Sequence, residues 1–567
     1  MITAYRHDPA PVDALVGPGV RLIPLGGLGE IGLNMMLVES GGDIIAVDCG
    51  LLFPDDEMPG VDYVIPDFTY LRERREAFRG VILTHGHEDH VGALSYLLRE
   101  LPVPVYGTPL TLALARSRLA EHGVLETADL RPYQPGDEIR LGGFRVEPIR
   151  VTHSIADGIG LAIETAAGTV VHTGDFKLDA HPIDGHHPDF SRFAALGARG
   201  VLALCSDSTN VDRPGHTRSE SEVGAALDPR FAAAPGRIIV VTFASHIHRI
   251  QQVIDLAARH GRRVALLGKS MVANVSVSAE LGYLRVPDGV LSALDDMAGL
   301  PPRRQVILST GSQGEPNSAV ALMAAGDHKY FEVGPGDLVI FSSRVIPGNE
   351  RPVSRIINAL LRRGAEVLWE DVAFVHVSGH ASREDLLRMI ELTRPRYFVP
   401  VHGEIRHLLQ HARLAEGAGI PRERIFLLED GLGLELGGAG ARVLGPYPAG
   451  RVIVDGTGVG DVGAVVLRDR QTLAESGIVV VALTVDRETG SVVAGPEIAS
   501  RGLVYMRESE ELMAEVKAAI REALAARGGP GMIDAQLVGA TVRSAVRRFI
   551  TQRFQRKPIV IPVVLEV

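Results

Sequence analysis

Seven consecutive residues, Thr84-His85-Gly86-His87-Glu88-Asp89-His90, carry four metal-ligand side chains in an H-x-H-x-D-H spacing. The apolar run Val81-Ile82-Leu83 precedes them, and apolar residues return with helical spacing at Val91, Leu94, Leu97 and Leu98. That pattern predicts a buried strand running through a polar, glycine-containing loop into a helix. Imidazole and carboxylate suit zinc, manganese or iron, and no cysteine biases the loop towards a soft structural metal. One ion would struggle to use all four groups of so tight a loop. Two divalent ions roughly 3.5–4 Å apart would share them, which is a hydrolytic arrangement.

At 567 residues the chain has room for about three or four domains. Its 46% hydrophobic content supplies a large core and excludes wholesale disorder. A formal net charge of −11 argues against a uniformly basic coat for nucleic acid, though not against a local basic groove. Cys49 and Cys205 are the two cysteines. Both sit in apolar, strand-like runs and read as reduced core thiols of an intracellular protein. There is no apolar stretch of membrane-spanning length and no signal-peptide core, so a cytoplasmic protein without a membrane partner is expected.

Residues 1–20 read as a loose N-terminal leader. Strands are predicted at Arg21–Pro24 and Met35–Glu39, flanking a glycine-rich stretch, Gly26–Gly32. That stretch lacks the lysine of a phosphate-binding loop and reads as a tight turn able to line a site. One design then recurs. Ile44–Val47 ends at Asp48, Pro148–Val151 at His153, Thr169–Val171 leads to Asp175, Val201–Leu204 to Asp207, and Tyr397–Val401 ends at His402. Five strands delivering a His or Asp at their C-terminal ends predict a shared site there.

Between about 215 and 375, strand-like runs at Arg237–Thr242, Val264–Leu267, Gln305–Leu308, Leu338–Phe341 and Glu366–Trp369 alternate with helical stretches, which predicts a parallel sheet. Their polar ends, such as Ser245, offer hydroxyls and backbone N–H groups to a phosphate as readily as to a helix cap. Gly456–Gly460 reads as a turn into a further strand. Beyond it lie strands near Gly477–Val485, helices over Glu508–Arg527 and Ile533–Arg553, and a closing strand over Pro558–Val567. The second helix carries Arg543, Arg547 and Arg548, either a polyanion contact or a solvated face.

Asp48, the His85–His90 cluster, His153, Asp175 and His402 resemble the metallo-β-lactamase superfamily in type and order. Asp207 in Ser-Asp-Ser-Thr-Asn, His380 in Ser-Gly-His-Ala-Ser and His402 in Pro-Val-His-Gly-Glu resemble the three motifs of the β-CASP nucleases. Gly-Gly-Leu-Gly-Glu-Ile-Gly, Thr-Gly-Ser-Gln-Gly-Glu-Pro and Arg-Gly-Leu-Val-Tyr-Met-Arg-Glu-Ser are similar to stretches of the ribonuclease J family.

The resemblance implies an α/β fold: a metallo-β-lactamase αββα sandwich from 21–215 and 376–445, a β-CASP domain inserted at 216–375, a linker at 446–465 and a small α/β C-terminal domain at 466–567. It implies a two-metal ribonuclease, a 5′-to-3′ exonuclease preferring 5′-monophosphate ends, with endonuclease activity in many members, working in mRNA decay and rRNA maturation. Carried over by position, His85, His87 and His153 hold one zinc or manganese ion, Asp89, His90 and His402 the second, and Asp175 bridges. Asp48 orients a ligand histidine. His380, oriented by Asp207, protonates the leaving oxygen, or Asp89 does so. His376, Val377, Ser378, Gly379, His380 and Ser382, with Ser245 opposite, form a pocket for the 5′-phosphate of single-stranded RNA. A homodimer or homotetramer and other RNA-decay proteins are the implied partners. A DNA-processing β-CASP hydrolase, a small-molecule hydrolase and a silent scaffold subunit are the competing readings. The inserted domain disfavours the small-molecule hydrolase, and the complete ligand set disfavours the scaffold.

Overall fold

The structure, a computed structural model, describes residues 5, 7–9, 19–55, 57–346, 348–438, 440–487, 491–503, 509–526 and 535–567. Most of the predicted leader, part of the Arg501–Ser509 motif and the start of the last predicted helix lie outside these residues. The chain forms two compact units, 1–53 with 64–452, and 54–63 with 453–567.

The first unit is built on two sheets. One has eight strands, in the order 440–444, 433–437, 19–26, 35–40, 43–47, 78–82, 105–107 and 130–132. The other has six, in the order 395–401, 201–207, 168–172, 159–165, 144–150 and 139–141. Their inner faces share a core in which Leu22, Val38, Ile45 and Ile82 meet Val146, Leu161, Val170 and Val399. On the outer face of the second sheet, helices Phe190–Arg199, Arg383–Thr393 and Ile405–Gly417 pack Phe193, Met389 and Ala412 against Val171, Leu204 and Phe398. Strands buried on both faces need apolar side chains throughout, which is why Val201–Asp207 reads as a continuous run. Both cysteines are buried free thiols.

The inserted region is a five-stranded, all-parallel sheet in the order 263–267, 305–309, 238–241, 338–341 and 366–368. All five predicted strands are present. Apolar clusters cover both faces, as a parallel sheet requires. The glycine-rich stretch does more than turn. Leu28-Gly29 pairs in parallel with Gly403-Glu404, just after His402. Tyr5, in the stretch read as a loose leader, is buried at 3% exposure and its hydroxyl donates to Glu416.

In the second unit, strand 478–485 pairs antiparallel with 492–501 and parallel with 559–566, and helices Ser509–Ala525 and Ala535–Phe554 share a core with them. One expectation is corrected. The run after the Gly456–Gly460 turn is a helix, Ala464–Ser476, not a strand. None of its residues is buried, so no apolar stripe at helical period marks it, and its β-branched start reads as strand. Among the described residues no helix is long and apolar enough to cross a membrane.

Candidate active site

Every delivered side chain converges on one end of the sandwich. Asp48 and His402 leave their strands with positive φ, 62° and 53°, a conformation costly for residues with a Cβ and one that marks functional sites. Asp48 is held by Thr84, whose backbone N–H and hydroxyl donate to its two oxygens at 2.7 and 2.8 Å, and it accepts from His90 Nδ1 at 2.7 Å. Asp89 and His90, expected in the loop, sit instead in a short helical turn, Glu88–Val91, where acidic residues in a first turn are favourable.

His85, His87 and His153 form one group of ligand atoms. His87 Nδ1 lies 3.0 Å from His85 Nε2 and 3.2 Å from His153 Nε2. His153 Nδ1 donates to the Gly379 carbonyl at 2.7 Å, so its Nε2 lone pair faces the group. Gly379 is required there, since a Cβ would stand 2.6 Å from His153 Cε1. Burial lowers all three pKa values, His85 and His153 well below the usual range and His87 to about 4. Neutral imidazoles with converging ring nitrogens, two buried and one half-buried, suit a cation.

Asp89, His90, Asp175 and His402 form the second group. Asp175 Oδ2 lies 3.2 Å from His90 Nε2, 3.7 Å from His402 Nε2, 3.8 Å from His85 Nε2 and 3.9 Å from His153 Nε2. One carboxylate oxygen thus stands between the two groups, the position of a bridge. Burial opposes charge on Asp89 and Asp175, but the surrounding histidines hold both carboxyls below the usual range. Burial likewise opposes a charged His402, yet Asp175, Asp207 and Asp89 push it up to about 10. Seven candidate ligand side chains thus lie in two adjoining sets, one of imidazoles alone and one of imidazoles with carboxylates, a donor set that suits divalent cations.

His380 stands beside this centre, its ring stacked on His402 with centroids 5.4 Å apart. Its Nδ1 donates to Asp207 Oδ2 at 2.8 Å. Burial disfavours the imidazolium, but Asp207 outweighs it and raises the pKa. Of the predicted phosphate pocket, Ser378 Oγ accepts from Asn210 Nδ2 at 2.7 Å and from the His380 N–H at 3.2 Å. Its own proton has no acceptor in these contacts. Ser382 is 2.8 Å from Thr217 Oγ1, whose proton goes to the His380 carbonyl, so the Ser382 hydroxyl donates to Thr217. The Val377 side chain belongs to the apolar core. The His376 ring lies edge-on to His246, the residue after Ser245, at 6.4 Å.

Thr84 and Thr209 contact this machinery and Arg249 holds the segment that leads into it, and sequence reasoning gave none of them a role. Arg249 is fully buried. It donates to Ser342 Oγ, to the Val375 carbonyl at 2.6 Å and to Glu220 Oε1. The Glu220 N–H donates to Asp179 Oδ2 at 2.9 Å, which pairs with Lys177 at 3.1 Å. This network keys the inserted sheet to the sandwich beside the site.

Four stretches of the chain match known families. Residues 28–227 match the metallo-β-lactamase superfamily, 235–360 the ribonuclease J β-CASP domain, 365–426 the Zn-dependent metallo-hydrolase RNA specificity domain and 465–567 the ribonuclease J C-terminal domain. Ribonuclease J of Thermus thermophilus is 44% identical over 96% of this chain and 95% of its own. Ribonuclease J2 of Bacillus subtilis is 41% identical over 97% of this chain and 99% of its own. The chain belongs to the ribonuclease J family. A solved protein of unknown function from Enterococcus faecalis shares the fold, with a TM-score of 0.52 at 16% identity over 74% of this chain and 100% of its own. The seven side chains expected from the sequence as metal ligands all fall within the two groups above.

Proposed function

We propose that the chain hydrolyses single-stranded RNA as a 5′-to-3′ exonuclease preferring a 5′-monophosphate, with internal cleavage as a second mode. The observation that carries the reading is Asp175, one carboxylate within 3.2–3.9 Å of ring nitrogens from both histidine groups. His85, His87 and His153 would hold one zinc or manganese ion, and Asp89, His90 and His402 the other. When bound, the pair supplies a hydroxide nucleophile near neutral pH and offsets charge on the phosphoryl oxygens. His380 keeps a proton against Asp207 and is placed to give it to the leaving 3′-oxygen. Asp207 stays ionised beside it, because His380 and His402 outweigh the effect of its burial.

The Ser378 hydroxyl, with two donors already directed at its oxygen, would give its proton to a terminal phosphate oxygen. Arg344, which reaches Asn210 Oδ1 at 3.2 Å, gathers with Arg213 and Arg406. Burial, then these two neighbours, lowers its pKa. Glu370, Asp212 and Glu404 stand among these arginines, so the edge is of mixed charge and offers guanidinium donors, not a uniformly basic surface, to a phosphate backbone.

The test is digestion of 5′-labelled RNA before and after chelation. Activity should vanish on removal of the ions and return with Zn²⁺ or Mn²⁺, releasing nucleotides from the 5′ end. Retained activity in chelator would remove the metal reading, and equal cleavage of single-stranded DNA would remove sugar selectivity. A second expectation separates the two serines. Ser378→Ala should cut the preference for 5′-monophosphate over 5′-hydroxyl ends by about tenfold, the worth of roughly one lost hydrogen bond to a charged group. Ser382→Ala should change it less, and equal effects would place the contact elsewhere.

A further inference from the structure

The geometry points to Thr84 and Thr209 as the positioning residues that decide which ring nitrogen of His85 and His402 faces the metal centre, an inference that rests on the two-cation reading above. Thr84 Oγ1 lies 2.8 Å from Asp48 Oδ2 and 3.0 Å from His85 Nδ1. Thr209 Oγ1 lies 2.8 Å from Asp207 Oδ1 and 2.6 Å from His402 Nδ1. A hydroxyl has one proton to give, and an ionised carboxylate can only accept. Each hydroxyl proton therefore goes to the aspartate, since two bare oxygens at 2.8 Å would repel. For Thr209 the His402 carbonyl is a competing acceptor, but it is neutral and farther away, at 3.2 Å. The remaining contact must come from the ring, with Nδ1–H donating to the threonine oxygen. In the neutral ring that would hold a cation this leaves the lone pair on Nε2, and Nε2 is the atom facing the cluster in both residues, His85 at 3.8 Å from Asp175 and His402 at 3.4 Å from Asp89.

The two relays repeat one design. Asp48 takes His90 Nδ1 directly at 2.7 Å and governs His85 through Thr84. Asp207 takes His380 Nδ1 directly at 2.8 Å and governs His402 chiefly through Thr209, whose Oγ1 is 2.6 Å from His402 Nδ1 where Asp207 Oδ1 is 3.5 Å away. In each relay the threonine N–H also donates to the same aspartate, at 2.7 and 2.9 Å, which fixes the carboxylate to the main chain. Both aspartates are 1% exposed, so water does not compete. Each buried carboxylate thus aligns two imidazoles, one by contact and one through a borrowed hydroxyl.

Zinc titration of stripped full-length protein against a chromophoric chelator tests this. The wild type should take up two equivalents, and fewer would overturn the two-cation reading and the relays with it. Thr209→Val keeps the shape but neither accepts nor donates. It should weaken one of the two equivalents by about 10–100-fold, and Thr84→Val should do the same. Thr209→Ser and Thr84→Ser keep the hydroxyl and should bind as the wild type does. Wild-type affinity in a folded Thr209→Val protein overturns the relay. So does a Thr209→Ser protein that fails as the valine variant does. Circular dichroism of the stripped proteins monitors folding, and Thr209→Ala replaces the valine variant should that one not fold.

Discussion

Asp175→Asn is expected to slow RNA hydrolysis by at least about a thousandfold, a loss of roughly 4 kcal/mol of transition-state stabilisation. The amide is the same size as the carboxylate, so packing around it is unchanged. The charge is lost, however, and with it the one oxygen that stands between both groups of imidazoles. A histidine at the edge, such as His87, touches one group only. Substitution at Asp175 should therefore lower zinc stoichiometry as well as rate, with the far-ultraviolet circular dichroism retained. Turnover within about tenfold of the wild type would show that the centre does not depend on this oxygen.

Arg249→Leu is expected to have the largest effect on stability. The guanidinium serves Glu220, Ser342 and the Val375 carbonyl, all in the interior. Removing it leaves the Glu220 carboxylate buried at 2% exposure without its cation. Breaking such a pair from one side costs about 3–5 kcal/mol. Urea unfolding measures this directly. The double variant Arg249→Leu with Glu220→Leu should recover part of the loss, because no uncompensated charge then remains. A single-variant loss below about 1 kcal/mol would mean that water reaches Glu220, and the network would then not be the key between sheet and sandwich. Activity should fall too, since Val375 leads directly into His376–His380.

The metal-centre candidates were legible because their chemistry is concentrated. The loop His85–His90 carries four ligands, and each remaining one follows an apolar strand, where Asp175 and His402 stand out against Val170-Val171 and Val399-Pro400-Val401. The parallel sheet of the insertion was legible for the same reason, as runs such as Leu338-Val339-Ile340-Phe341 have no polar alternation. The relays were not. Thr84 and Thr209 are ordinary residues whose role exists only through distances of 2.6–3.0 Å to side chains up to 193 residues away. Arg249 was hidden likewise: on a helix it reads as a solvated charge, and only the packing of strand ends around it makes it interior. The helix Ala464–Ser476 was misread because it buries nothing. Ser378 and Ser382 look equivalent in Ser-Gly-His-Ala-Ser, and the direction of one proton on Thr217 separates them.

The parallel pairing of Leu28-Gly29 with Gly403-Glu404 joins an early segment of the first unit to a late one. His402 arrives with that second segment, after the whole inserted sheet. A nascent chain halted anywhere before it therefore lacks both a candidate ligand and the strand that positions it. On the two-cation reading, the order of synthesis would leave the centre incomplete until translation of this unit is nearly finished.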